Sequence, residues 1–107
     1  MPYTEPWEMS LGEFISRMKD GWGFWRPNRV KMIGRALDDF IPNEMRNVKV
    51  VVIHIWPKVS NWYLWEVWGV EIPQEMREKW KFSRDYGISF LEDGFLVSFK
   101  TGQEKTD

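Results

Sequence analysis

Eight of the 107 residues are tryptophan, more than the seven phenylalanines or three tyrosines. Each indole must either fill a large volume of core or be presented as sticky surface. A chain of this length forms one domain with a single modest core, so eight indoles limit both how its elements pack and what the packing leaves outside. Their positions along the chain carry the first information. Trp7 stands in a proline-flanked N-terminal stretch, and Trp22 and Trp25 between two helical patterns. Trp56, Trp62, Trp65 and Trp68 belong to a strand-rich segment, and Trp80 to the helical pattern after it.

Residues 1–9, with Pro2 and Pro6, read as an irregular arm. Ser10, three residues before Glu13, has capping-box spacing, and Leu11, Phe14, Ile15 and Met18 recur at helical intervals. The spacing predicts a helix near 10–20, stopped at Gly21. Asn28 can cap a second helix whose stripe is Val30, Ile33, Leu37, Phe40 and Ile41, with Pro42 marking its end. Val48–Trp56 and Trp62–Ile72 are rich in β-branched and aromatic residues, and the break at 57–61 reads as a hairpin loop. Pro73 suits the start of a third helix, with Glu75 early and Lys79 and Lys81 late. Asp93-Gly94 reads as the two-residue turn of a second hairpin that pairs Ile88 with Phe99 and Phe90 with Val97. The fold expected is a single α+β domain over 1–107, order ααββαββ. It has about three helices, a four-stranded antiparallel sheet from two hairpins, and a polar tail at 101–107.

A symmetric loop in the first hairpin sets Trp56 opposite Trp62, Ile53 opposite Trp65 and Val50 opposite Trp68. That register sends Val51, Ile53, Ile55, Tyr63, Trp65 and Val67 to the core. The other face then carries Val50, Val52, His54, Trp56, Trp62, Leu64, Glu66 and Trp68.

Several function classes fall away on residue types. The chain has no cysteine, which removes disulfides, thiolate nucleophiles and Cys-based zinc sites. With a single histidine, His54, no histidine cluster can bind a metal, and no carboxylate pair has calcium-loop spacing. No metal, catalytic residue or small-molecule cofactor is expected. His54 and Glu66 share a face in the expected register and could form a dyad, but no nucleophile motif accompanies them. No apolar run approaches the about 20 residues of a membrane span, and the start lacks a basic region followed by an apolar one. The expectation is a soluble cytoplasmic protein without a membrane partner.

Two binding readings remain. Large aromatic side chains dominate interface energetics, so Trp56, Trp62, Trp68 and Leu64, with His54 and Glu66 for polar specificity, form a candidate protein-binding face. A protein partner or a homo-oligomer is expected on it. The alternative is single-stranded nucleic acid. Residues 17–35 hold six basic side chains and one acid, Asp20, and in that stretch Arg26, Arg29, Lys31 and Arg35 could meet phosphates while Trp22 and Trp25 stack on bases. Against this, the rest of the chain holds nine basic and fifteen acidic residues and the net charge is -1. The same two tryptophans could instead anchor the linker onto the sheet.

Overall fold

The structure, a computed structural model, describes residues 6–22, 28–55, 62–79 and 87–100. Its elements are β1 (Trp7–Ser10), α1 (Leu11–Lys19), α2 (Asn28–Phe40), β2 (Lys49–Ile55), β3 (Trp62–Trp68), α3 (Gln74–Lys79), β4 (Ile88–Leu91) and β5 (Gly94–Lys100). A single 3-10 turn at Asn43–Met45 precedes β2. The strands form one antiparallel sheet in the order β1-β2-β3-β5-β4.

The helices arise where the periodicity places them. Ser10 accepts the Glu13 amide at 3.1 Å as N-cap of α1, which leaves Leu11, Phe14, Ile15 and Met18 buried on one stripe. At the other end the Trp22 amide reaches the Arg17 carbonyl and the Gly21 amide the Met18 carbonyl, at 3.0 Å. This is the paired closure of a Schellman motif, and it holds Trp22 at a φ of 65°, rare for so large a residue. The turn directs the Trp22 ring into the core. The Arg17 guanidinium lies over the ring, 5.8 Å from its centroid.

Among the described residues the sheet has five strands and not four. The extra strand, β1, lies within the stretch expected to be irregular and pairs Trp7 with Val52 and Met9 with Val50. Its sequence, Trp-Glu-Met-Ser, contains no β-branched residue, and its partner is some forty residues away, so neither composition nor a nearby turn announces it. The tail at 101–107 lies outside the described residues.

The first hairpin also differs by one step. Val51 pairs with Trp68, Ile53 with Glu66 and His54 with Trp65. Because side chains alternate faces, a one-residue slip sends every β2 side chain to the opposite side. Val50, Val52 and His54 face the core with Trp65 and Val67, whereas Val51, Ile53 and Ile55 face outward with Leu64 and Glu66. Both alternations of β2 are almost wholly apolar, so the hydrophobic pattern cannot choose between them. The second hairpin turns at Glu92-Asp93, with Leu91 opposite Gly94 and Ile88 opposite Val97. That shift of two residues preserves the faces. Gly94 serves close approach and not the turn, since a Cβ there would sit 1.9 Å from the Val67 carbonyl oxygen.

Both longer helices pack on the same face of the sheet. Phe14 meets Phe95 edge-on at 6.1 Å, and Arg29 of α2 lies 5.7 Å over the Phe99 ring. The core between the layers gathers Leu11, Phe14, Ile33, Leu37, Val52, Trp65, Val67 and Phe95. The end of α2 is fastened by Arg46, which donates to the Ile41 and Asp38 carbonyls and to the Asp38 carboxylate, while Lys19 of α1 reaches the same carboxylate at 2.9 Å. Hydrogen bonds from Arg46 and then Lys19 hold the Asp38 carboxyl below its ordinary range. A group depressed in the folded state stabilises it above its unfolded pKa, and the effect fades as pH falls through the folded value. Asp38→Asn should therefore lower stability by about 0.5–1 kcal/mol at neutral pH, the scale of a half-exposed ion-pair network. In urea titrations that gap should close in solutions acid enough to protonate Asp38. A gap of the same size at both pH values would remove the electrostatic explanation.

Candidate functional site

The outward sheet face is built by alternation from three central strands. β2 supplies Val51, Ile53 and Ile55, β3 supplies Trp62, Leu64, Glu66 and Trp68, and β5 supplies Leu96, Ser98 and Lys100. Rows across the sheet run Val51–Trp68–Gly94, Ile53–Glu66–Leu96 and Ile55–Leu64–Ser98, and Trp62 stands beside Lys100. Trp62 is 42% and Trp68 38% exposed, the largest exposed side chains among the described hydrophobics together with Phe40. The residues between the two indoles are half-buried. Each indole carries a charged neighbour: the Lys100 ammonium lies 5.7 Å from the Trp62 ring centroid, and the Trp68 Nε1–H donates to Glu66 Oε1 at 2.9 Å.

Of the residues singled out for a protein-binding face, Trp62, Leu64, Glu66 and Trp68 do share one surface. Trp56 lies outside the described residues. His54 is a correction. It is fully buried on the inner face, stacked on Trp65 at 4.3 Å with rings 6° from parallel, and Trp22 meets it edge-on at 5.8 Å. The one-residue register difference also separates His54 from Glu66, which are on opposite faces of the sheet, so these two form no dyad. Val51, Ile53 and Ile55 escape the sequence reading for the same reason. The signal that could have found them is the apolar character of β2 on both parities, which guarantees an apolar outer row whichever way the strand faces.

The basic segment is dispersed. Trp22 is a second correction: at 4% exposed it lies against Trp7, Phe14, His54 and Trp65, with no ring face turned to solvent. The Arg29 guanidinium is half-buried over Phe99, Lys31 is half-buried and Arg35 is exposed. Trp25 and Arg26 lie outside the described residues.

At the β4 edge, Arg77 donates to the Ile72 carbonyl at 2.9 Å and the Leu91 carbonyl at 2.7 Å and lies 5.7 Å over Phe90, which fastens α3 there. The shallow cleft beside it, about 390 Å³, has Glu71 and Glu92 in its lining, so Arg77 is already engaged and flanked by acids. Among the described residues no group of three His, Cys, Asp or Glu could hold a metal ion, and no helix is long and apolar enough to cross a membrane. No protein-family model, curated protein or solved structure matches the chain.

Proposed function

We propose that this protein acts by binding and not by catalysis, through protein–protein association on the outward sheet face. The observation that carries the reading is the pair of exposed indoles, Trp62 and Trp68, on one face of β3, with Leu64 and Glu66 between them and Val51, Ile53 and Ile55 of β2 alongside. Both long helices pack on the inner face, so the sheet is a scaffold with one side committed to the core. A contiguous apolar patch on a small domain is where a partner gains the most from excluding water. Rigid indoles gain it at little cost in rotamer entropy. The corrected contact set is Trp62, Trp68, Leu64 and Glu66 with Val51, Ile53 and Ile55. Nucleic-acid binding by the basic segment is less favoured, because the Trp22 ring it would use for stacking is held inside the core.

Light scattering of the full chain over a wide concentration range, with crosslinking from a photoreactive residue at position 64, tests the reading. Complexes heavier than the 13.0 kDa monomer are expected. Trp68→Glu should abolish them while circular dichroism and the unfolding midpoint stay unchanged. Complexes indifferent to that substitution, or no complexes and no crosslinks at all, would sink it.

A further inference from the structure

We propose that the occupant of the outward face is a segment of a partner protein that sets an arginine over Glu66, between apolar side chains that cover the rest of the patch. The inference rests on the association reading and adds the partner's chemistry. Its basis is the place of Glu66 on the face. Among the described outward positions of β2, β3 and β5 it is the one acid, and it stands in the central row between Ile53 and Leu96. The other charges are marginal. Lys49 and Glu8 lie 4.0 Å apart at the Trp68 end, and Lys100 rests against the Trp62 indole at the other.

A carboxylate in the middle of an apolar patch is tolerated while water reaches it. Once a partner covers the patch that water is lost, and a buried charge without a counter-charge opposes binding. Glu66 Oε1 is taken by the Trp68 Nε1–H at 2.9 Å, and among the described residues Oε2 has no hydrogen-bond donor. A purely apolar partner would leave that oxygen buried and unmet. A guanidinium meets it: it cancels the charge, donates to Oε2 and lays its flat face against the adjoining Trp68 indole. Lysine supplies the charge without the planar stacking, and an acidic segment is repelled. Discrimination then comes from one charge set where apolar side chains supply the affinity.

The size of the face points to a segment and not to a whole domain. Three strands at about 4.8 Å spacing, and the seven residues of β3, make it about 14 Å wide by about 24 Å long. That is less than half of the roughly 800 Å² that each partner contributes to a standard interface between globular proteins. A single segment laid along β3 covers it, with its apolar side chains on Leu64 and Ile53 and its ends at the two indoles.

A phage-displayed library of random twelve-residue peptides, selected on the full chain and counter-selected on Trp68→Glu, tests this. The peptides recovered should carry an arginine flanked by apolar residues. Made synthetically and measured by titration calorimetry, they should bind Glu66→Gln at least about tenfold more weakly than the unchanged chain. Glutamine keeps an oxygen for the Trp68 indole, so circular dichroism and the unfolding midpoint should not move. Replacing the peptide's arginine with citrulline, its neutral isostere, should weaken binding to the unchanged chain about as much. It should cost little further against Glu66→Gln, since both changes remove the same pair. Trp68-dependent peptides that lack a basic residue, or that bind Glu66→Gln as well as or better than the unchanged chain, overturn the inference and leave the association reading standing. An apolar occupant gains when the charge is removed. If no peptide depends on Trp68 the inference falls, and the association reading falls with it only if light scattering and crosslinking also find no complex that depends on Trp68.

Discussion

Replacing Trp65 with alanine will cost about 3–5 kcal/mol, the range for truncating a fully buried large aromatic, and will leave this domain close to unfolding at room temperature. Small domains have only about 5–15 kcal/mol in total. Trp65 is the largest fully buried side chain of the described core and sits on the middle strand of the sheet. His54 stacks on one side at 4.3 Å, Tyr63 lies 6.0 Å away nearly parallel, Trp22 meets it edge-on at 6.0 Å and Phe99 closes the box at 6.3 Å. Ring contacts of this kind contribute beyond their area, and no small movement of the strands can refill the space an indole leaves. Trp65→Phe separates volume from polarity. Among the described residues the indole Nε1 has no hydrogen-bond acceptor, so phenylalanine gives up packing but no polar contact there. Its cost should be less than half that of alanine in urea unfolding. A loss under about 1 kcal/mol for Trp65→Ala would mean that this box does not hold the domain together.

The legibility of this box in the sequence is uneven, for reasons that differ residue by residue. The inward direction of Trp65, Tyr63 and Val67 comes from β3, where only one parity avoids burying Glu66. The inward direction of His54 cannot be read from β2. There Val50, Val52 and His54 compete with Val51, Ile53 and Ile55, and the second set looks more apolar than the first. What decides is tertiary: β1 brings Trp7 and Met9 beside Val52 and Val50 on the inner side, and Trp22 arrives from the end of α1 to meet the imidazole. Neither contact is local, so no window of sequence contains them. The helices are legible because their signals are local: a serine cap, a 3.6-residue stripe, a glycine after the last turn. The two exposed indoles can be placed on one face from sequence because Trp62 and Trp68 share a strand and a parity, which no register change can separate. Their neighbours cannot be placed wherever the face depends on pairing.

Gly34→Ala carries the second large effect, and its sign opposes the usual expectation. In the interior of an isolated helix the change from glycine to alanine is worth about 1 kcal/mol in favour of the helix, and Gly34 lies in the middle of α2. Here α2 crosses the last turn of α1 so closely that a Cβ on residue 34 would lie 2.4 Å from the Lys19 nitrogen, 2.7 Å from the Met18 carbonyl carbon and 2.9 Å from the Lys19 Cα. All three atoms are backbone, so no side chain can swing aside. Nor can α1 retreat easily, because its end is closed by the Gly21 and Trp22 amides and tied to α2 through Lys19 and Asp38. Overpacking a close contact typically costs about 1–3 kcal/mol, and backbone against backbone belongs at the upper end. After the propensity gain is subtracted, Gly34→Ala should destabilise the protein by about 2 kcal/mol in urea unfolding, while Arg35→Ala, exposed in the same turn, should be within about 0.5 kcal/mol of neutral. Because Trp22 leaves α1 immediately beyond this crossing, any displacement the new methyl forces must also disturb the Trp22–His54 contact. The Gly34→Ala protein should accordingly show altered tryptophan emission even while folded. Unchanged emission together with raised stability would mean that the two helices can separate there, and that the tight crossing does not fix where Trp22 enters the core.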